Sequence, residues 1–141
     1  MAAFVKFQKY ALNLAKGNTK WNSETFKIAL SNTAPTVASD ESIGDITQIA
    51  NSNGYTTGGA TVPNTGVTQS GGVATVVGDA VTWTATGGSL PALRYAVLYD
   101  STTGYLVGYW DYGSSVTITV GNTFSVLPSG AATGGTLQTI T

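Results

Sequence analysis

The second half of the chain consists of short apolar runs separated by turn residues, and this pattern constrains the fold more than any other feature. Six such runs lie at residues 73–77, 80–85, 94–99, 104–110, 115–120 and 123–128. Their apolar side chains alternate or follow one another, as half-buried or buried strands require. Short strands with turn signals between them are typical of an antiparallel sandwich or barrel, not of βαβ units.

Turn residues join these runs in pairs. Residues 78–79, with Gly first, predict a two-residue type II′ hairpin. The loop that opens at Asp100 predicts a longer hairpin, and residues 121–122 predict a third. With further strands at 25–30 and near 60–62, about eight strands are predicted, the number that a jelly roll uses. The predicted fold is therefore an all-β, jelly-roll-like antiparallel β-sandwich.

The first residues show a different periodicity. Phe4, Phe7, Ala11 and Leu14 are spaced as one face of a helix, and Gly17 stands where a C-terminal cap belongs. A short N-terminal helix is predicted, with a strand as the weaker alternative.

The length of 141 residues fits one domain. We divide it into a basic N-terminal helix or arm at 1–24, a β-sandwich at 25–127 and a C-terminal segment at 128–141. The sandwich contains a long loop region at 31–59, typical of a functional loop or a subunit surface. The Gly/Thr-rich C-terminal segment is predicted to be an extended arm or an added edge strand.

Charge is scarce and unevenly distributed. Only 9% of the residues are charged, against about 25% in an ordinary soluble domain. Residues 1–27 hold five of the six positive charges and have a net charge of +4, whereas the remainder has −5. Surfaces of opposite sign on one subunit can steer neighbouring subunits into register. The pattern predicts assembly with partners rather than catalysis.

Residues suited to catalysis are few, because the chain has no His and no Cys. Asp79 and Asp100 stand in predicted turns, where Asp bonds to the local backbone. Asp111 lies between Trp110 and Tyr112, where a carboxylate could contact a sugar or act as a glycosidase acid with a second carboxylate. The sequence offers no such second carboxylate, so we predict no catalytic residue and no enzyme activity.

Ligand and membrane motifs are equally weak. Asp40, Glu41 and Asp45 have the oxygen ligands that Ca²⁺ prefers, but not EF-hand spacing, so a solvated acidic turn is favoured. The Gly-rich run at 54–61 lacks the Lys-Ser or Lys-Thr of a phosphate loop. No metal or cofactor is therefore predicted. Nucleic-acid binding is not predicted either, since the lysines are dispersed and the remainder of the chain is acidic. No run approaches the ~20 apolar residues of a membrane span, so synthesis in a cytoplasm is expected.

Four aromatic residues lie in the fourth apolar run or just after it. They are Tyr105, Tyr109, Trp110 and Tyr112. Rings with polar tips serve either as a stacking platform for sugars or as core and subunit-interface residues. We favour core and interface.

Five runs, taken in order, resemble a family of small virion structural proteins of tailed bacteriophages and prophages. They are Glu24–Leu30, Gly54–Ala60, Asp79–Thr84, Arg94–Asp100 and Leu106–Gly113. The resemblance implies a capsid decoration, or cementing, protein. Such proteins sit outside a shell of major capsid protein, clamp neighbouring capsomers after expansion and carry no catalytic motif. Jelly-roll-like sandwiches are among their folds.

The functional hypothesis is thus a cement protein on the outer capsid surface, made in the bacterial cytoplasm. Its partners are the major capsid protein and a copy of itself, as a homodimer or alternatively a trimer. Lys6, Lys9, Lys16 and Lys20 are predicted capsid contacts.

Tyr109, Trp110 and Tyr112 are predicted subunit-interface residues. The alternative function is a tail-fibre or tail-associated host-recognition module. Such a module would bind carbohydrate through Tyr109, Trp110 and Asp111.

Overall fold

The computed structural model describes residues 3–140, and within them it is an all-β protein with one α-helix and ten strands. Two three-residue 3-10 turns lie at Ile43–Asp45 and Pro128–Gly130. The helix α1 is Gln8–Ala15, and the strands are β1 (Phe4–Lys6), β2 (Phe26–Ser31), β3 (Ala60–Thr61), β4 (Gly66–Ser70), β5 (Val73–Gly78), β6 (Val81–Thr84), β7 (Leu93–Asp100), β8 (Leu106–Val116), β9 (Thr123–Val126) and β10 (Gly135–Ile140).

The largest sheet has five antiparallel strands in the order β1-β8-β7-β2-β3. Strands β7 and β8 form the hairpin predicted from the loop at Asp100, with Leu98 opposite Gly108. Strand β2 lies on the other side of β7 and places Phe26 opposite Asp100. The start of β2 therefore lies beside the β7–β8 loop.

Two smaller antiparallel sheets complete the molecule, one in the order β10-β5-β4 and one formed by β6 and β9. Val76 of β5, Trp83 of β6 and Leu98 of β7 belong to one buried hydrophobic cluster, so all three sheets share a core. This arrangement confirms the predicted all-β class and agrees with a sandwich. The jelly-roll topology stays a prediction.

The hairpin predicted at residues 78–79 is wrong. Strands β5 and β6 lie in different sheets, because the backbone N–H of Asp79 bonds to Pro63 and that of Ala80 to Ala132. Gly78 does not have the positive φ of a type II′ turn. A Cβ there would lie 2.7 Å from Val62 Cγ1, so close packing explains this glycine.

The third predicted pairing also differs, since β9 pairs with β6 and not with the run before it. Strand β8 ends at Val116, and residues 117–120 are not in a strand. A turn is nevertheless present, with Gly121 at φ +87°. The residues at 121–122 thus predicted a turn correctly, but the local sequence did not indicate which strand pairs with β9.

The N-terminal helix is shorter than predicted. Phe4 lies in β1 opposite Trp110, and α1 begins only at Gln8. Its C-terminal end has Gly17 at φ +76°, as expected of a glycine cap. Between residues 3 and 140, no helix has the length and apolar character needed to cross a membrane.

This segment is integrated into the fold and is not a free arm. Phe7 and Tyr10 are buried, and the Tyr10 hydroxyl accepts a hydrogen bond from Trp21 Nε1 at 2.9 Å. Gln138 of β10 donates a second, short hydrogen bond to the same hydroxyl. The two ends of the described chain therefore meet at Tyr10, and of the two C-terminal alternatives the structure has the edge strand.

The loop region 31–59 is held by a partly buried polar network. The Tyr55 hydroxyl accepts the backbone N–H of Leu30 at 3.1 Å and lies 2.5 Å from Gln48 Oε1. Gln48 Oε1 also accepts the N–H of Gly58, whose carbonyl accepts the Tyr99 hydroxyl at 2.6 Å. The part of this predicted interaction loop from Gln48 to Gly58 is thus fixed to its own chain.

Candidate interaction surfaces

The predicted capsid-contact lysines follow the N-terminal segment over the surface. Lys6 on β1, Lys16 at the end of α1 and Lys20 beyond it are exposed. Lys9 differs, because its Nζ lies 3.5 Å from Glu41 Oε2. Among residues 3–140 no ion pair involves Lys6, Lys16 or Lys20, so their charges are available to a partner.

Glu41 anchors α1 to the loop region. Its Oε1 accepts a hydrogen bond from Asn13 Nδ2 at 3.2 Å, and its backbone carbonyl accepts the N–H of Leu106 on β8. Asn13 in turn accepts a bond from Asn18. The Lys9–Glu41 pair therefore has an intramolecular role, which separates Lys9 from the other three predicted contacts.

The neighbouring acidic residues cap backbone groups. Asp40 accepts the N–H of Thr36 at 2.7 Å, and Asp45 accepts those of Glu41 and Ser42. These two backbone bonds hold the pKa of Asp45 below its ordinary value. Within residues 3–140 no cluster of three potential metal-ligating side chains occurs.

Asp100, the last residue of β7, is fully buried. Its Oδ1 accepts the backbone N–H of Thr102 at 2.9 Å, as expected of Asp in a turn, whereas Oδ2 has no hydrogen-bond partner. Burial and the adjacent Glu24 carboxyl raise the pKa of Asp100 to about 6. Above that pH, Oδ2 belongs to a buried carboxylate and has no hydrogen-bond partner.

Asp79 does not serve the local turn that the sequence predicted. Its Oδ2 accepts a hydrogen bond from Asn64, and its Oδ1 accepts the N–H of Gly134 at 2.8 Å. These bonds lower the pKa of Asp79 below its ordinary value. The carboxylate joins the loops that precede β4 and β10.

The three predicted interface aromatics do not share one surface. Trp110 is only 5% exposed and packs on Phe4, with ring centroids 4.8 Å apart. Tyr109 packs instead on Phe7, because successive residues of a strand point to opposite faces. Only Tyr112, 58% exposed, is an open surface residue. Phe4 of the neighbouring strand β1 covers Trp110, so Trp110 has a core role, and the subunit-interface role of the three residues stays a prediction.

Tyr112 and Trp110 line a shallow groove of about 280 Å³ that sequence reasoning missed. Phe124 of β9 forms its opposite wall, with its ring 5.8 Å from that of Tyr112. Arg94, at the edge, binds Asp111 through Nε–Oδ1 and Nη2–Oδ2 contacts of 2.8 and 3.1 Å. The groove depends on the β8–β9 contact, which the local pattern did not reveal.

The Arg94 contact also decides the chemistry of Asp111. The guanidinium and the N–H of Gly113 hold the pKa of Asp111 below its ordinary value. A glycosidase acid needs a raised pKa and a second carboxylate. Asp111 therefore has the electrostatic character of a structural ion-pair partner.

The two smaller sheets have an unusual surface, because none of their strands contains a charged residue. Asp79 is the single charged residue in the sequence between positions 46 and 93, and positions 112–141 contain none. The sequence showed this depletion, but only the sheet order shows that it falls on the same two sheets. Comparison with family models, curated proteins and solved structures gave no significant match.

Proposed function

We propose that this chain is a non-enzymatic structural protein of a bacteriophage virion. It acts as a capsid decoration protein that binds the shell of major capsid protein from outside and stabilises the head. Its second partner is a further copy of itself. It needs no cofactor, and it is made in the host cytoplasm before it joins the virion.

One observation carries this proposal together with the sequence resemblance. The exposed lysines Lys6, Lys16 and Lys20 lie on a segment fixed by buried Phe7 and Tyr10. Charges on a fixed segment lose less conformational entropy on binding than charges on a free arm. Each contact is weak, but many contacts repeated around a closed shell increase the overall binding strength.

Neutralising the three exposed lysines is expected to weaken binding to expanded heads roughly tenfold, because exposed ion pairs contribute up to about 1 kcal/mol each. The variant is Lys6→Gln, Lys16→Gln and Lys20→Gln, with Lys9 retained because it holds Glu41. Binding is measured by cosedimentation with heads assembled without the protein. Added salt should weaken the wild type more than the variant.

A matched control separates the position of these charges from the net charge. Glutamates at exposed Thr86, Thr119 and Thr133 change the net charge by the same −3 but leave the lysines in place. This control should bind like the wild type. Equal binding by the lysine variant and the wild type contradicts the assigned contact surface.

The groove supports a second candidate, a tail-associated module that binds carbohydrate. Trp110, Tyr112 and Phe124 offer aromatic surface beside the Arg94–Asp111 pair, although Tyr109 lies on the other face of β8. A glycan-array measurement distinguishes the candidates. Micromolar binding that is lost in Tyr112→Ala favours the tail module, whereas no binding favours the decoration protein.

A further inference from the structure

We propose that β4 is the edge through which two copies of this chain associate. The β4 strands of the two copies pair antiparallel across a two-fold axis and join their three-stranded sheets into one sheet. This assignment rests on the proposed function, in which a second copy of the chain is a partner. The contact surface itself follows from the features of β4.

Strand β4 is an open edge without the usual protection. It pairs with β5 on one side only, and four of its five residues are exposed. In a strand bonded on one side, alternate residues point their N–H and C=O groups outward. Natural edges are guarded by charge, proline or a bulge, and β4 has none of these.

Val67 shows which side of the edge lacks a neighbour. It lies opposite Val76, which is fully buried, yet Val67 itself is 44% exposed. Opposite residues of an antiparallel pair point to the same face of the sheet. Val67 is thus on the core side of the sheet, in its last strand, and no further strand lies beside it. A further strand added to β4 would cover it.

The absence of charge on β4 suits a second copy as the occupant. Across a two-fold axis each residue near the axis meets its own counterpart, so a charged edge repels itself. Strand β4 contains no charge, whereas the β1 edge contains Lys6. The outer edge of β10 is also less suitable, because Lys6 lies with Thr139 and Ile140 around one groove.

A single lysine placed on β4 tests this assignment. Thr68→Lys puts like charges near the axis, and Thr139→Lys makes the same change at an exposed position on the other edge strand of the sheet. At about 100 μM, where weak dimers with micromolar Kd are populated, sedimentation should give twice 14.4 kDa for the wild type. The same mass is expected for Thr139→Lys, and 14.4 kDa for Thr68→Lys.

Several results would overturn the assignment. A monomeric wild type at that concentration removes the β4 dimer, and a Thr68→Lys dimer shows that another surface is used. Protection of β4 amides from hydrogen exchange that appears only with capsid shells identifies a strand of another protein as the occupant. Thermal unfolding of both variants verifies that they are folded.

The capsid assay keeps this test separate from the proposed function. Thr68→Lys retains Lys6, Lys16 and Lys20, so it should still sediment with expanded heads, although more weakly because paired copies bind with avidity. Head binding without dimers refutes only the β4 contact. Dimers without any head binding refute only the decoration function.

Discussion

Replacing Asp100 with Asn is expected to stabilise the protein by about 2–3 kcal/mol at pH 8, which is unusual for a fully buried residue. At that pH the wild type holds a buried carboxylate whose Oδ2 has no hydrogen-bond partner, next to Glu24. An amide keeps the oxygen that accepts from Thr102 and adds a donor toward Glu24.

The pH dependence has a defined sign. The pKa of Asp100 is raised from 3.8 to about 6 in the folded state, so the folded protein binds more protons than the unfolded chain between these values. The contribution of this group to the free energy of unfolding is therefore greatest below about pH 4 and falls as the pH rises toward 6. Asp100→Asn should show no such fall, and near pH 4 it should be about as stable as the wild type.

Urea unfolding at pH 4, 6 and 8 measures this difference. Asp79→Asn is the matched control, because the pKa of Asp79 is lowered and its stabilising effect exists above pH 4. That variant should lose stability at pH 8, opposite in sign to Asp100→Asn. An Asp100→Asn protein less stable than the wild type at pH 8 would contradict the destabilising effect assigned to the buried carboxylate.

Replacing Gly59 with Ala is expected to destabilise the fold by at least about 3 kcal/mol. Its φ is +77°, and a Cβ would lie 1.8 Å from the backbone oxygen of Ile28. The backbone of β2 cannot yield without disturbing the pairing of Ile28 with Ala60 and of Ala29 with Val97.

Gly17→Ala separates the collision from the backbone strain. Gly17 has nearly the same φ, +76°, but no atom lies within 4 Å of its added Cβ. Its replacement should cost about 1 kcal/mol, the strain of a left-handed conformation alone. Chemical denaturation of both variants gives the comparison. Equal losses would show that the close approach at Ile28 is not what requires a glycine.

The sequence predicted elements better than it predicted their partners. The β7–β8 hairpin was predicted because its turn residues and both strands are contiguous, with Asp100 at the turn. The wrong hairpin at Gly78 arose because a glycine before Asp was read as a turn, whereas its role is close packing on Val62. Which strand pairs with which depends on core packing across the whole chain, and local patterns do not contain it.

The candidate surfaces were predicted only in part, because local sequence does not show which distant residues lie side by side. Lys6, Lys16 and Lys20 were identified from charge alone, and they are exposed. Lys9 was grouped with them because nothing local shows that Glu41, 32 positions later, lies beside it. The groove at Tyr112 and the open edge at β4 both require the sheet order, so only the three-dimensional structure reveals them.

The charges and the sheet edges suggest that one molecule has two separate contact surfaces for two different partners. In the proposed assembly, the lysines on the anchored N-terminal segment contact the capsid shell, and the uncharged edge at β4 contacts another copy. Neither surface needs a reactive side chain. Under this proposal, weak contacts of both kinds gain strength because they are repeated over a closed shell.

The most direct measurement locates a labelled copy of the protein on intact virions by electron microscopy. The account predicts label distributed over the outer surface of expanded heads, with none on unexpanded heads or tails. Label confined to the tail, or no label on any virion, would contradict it.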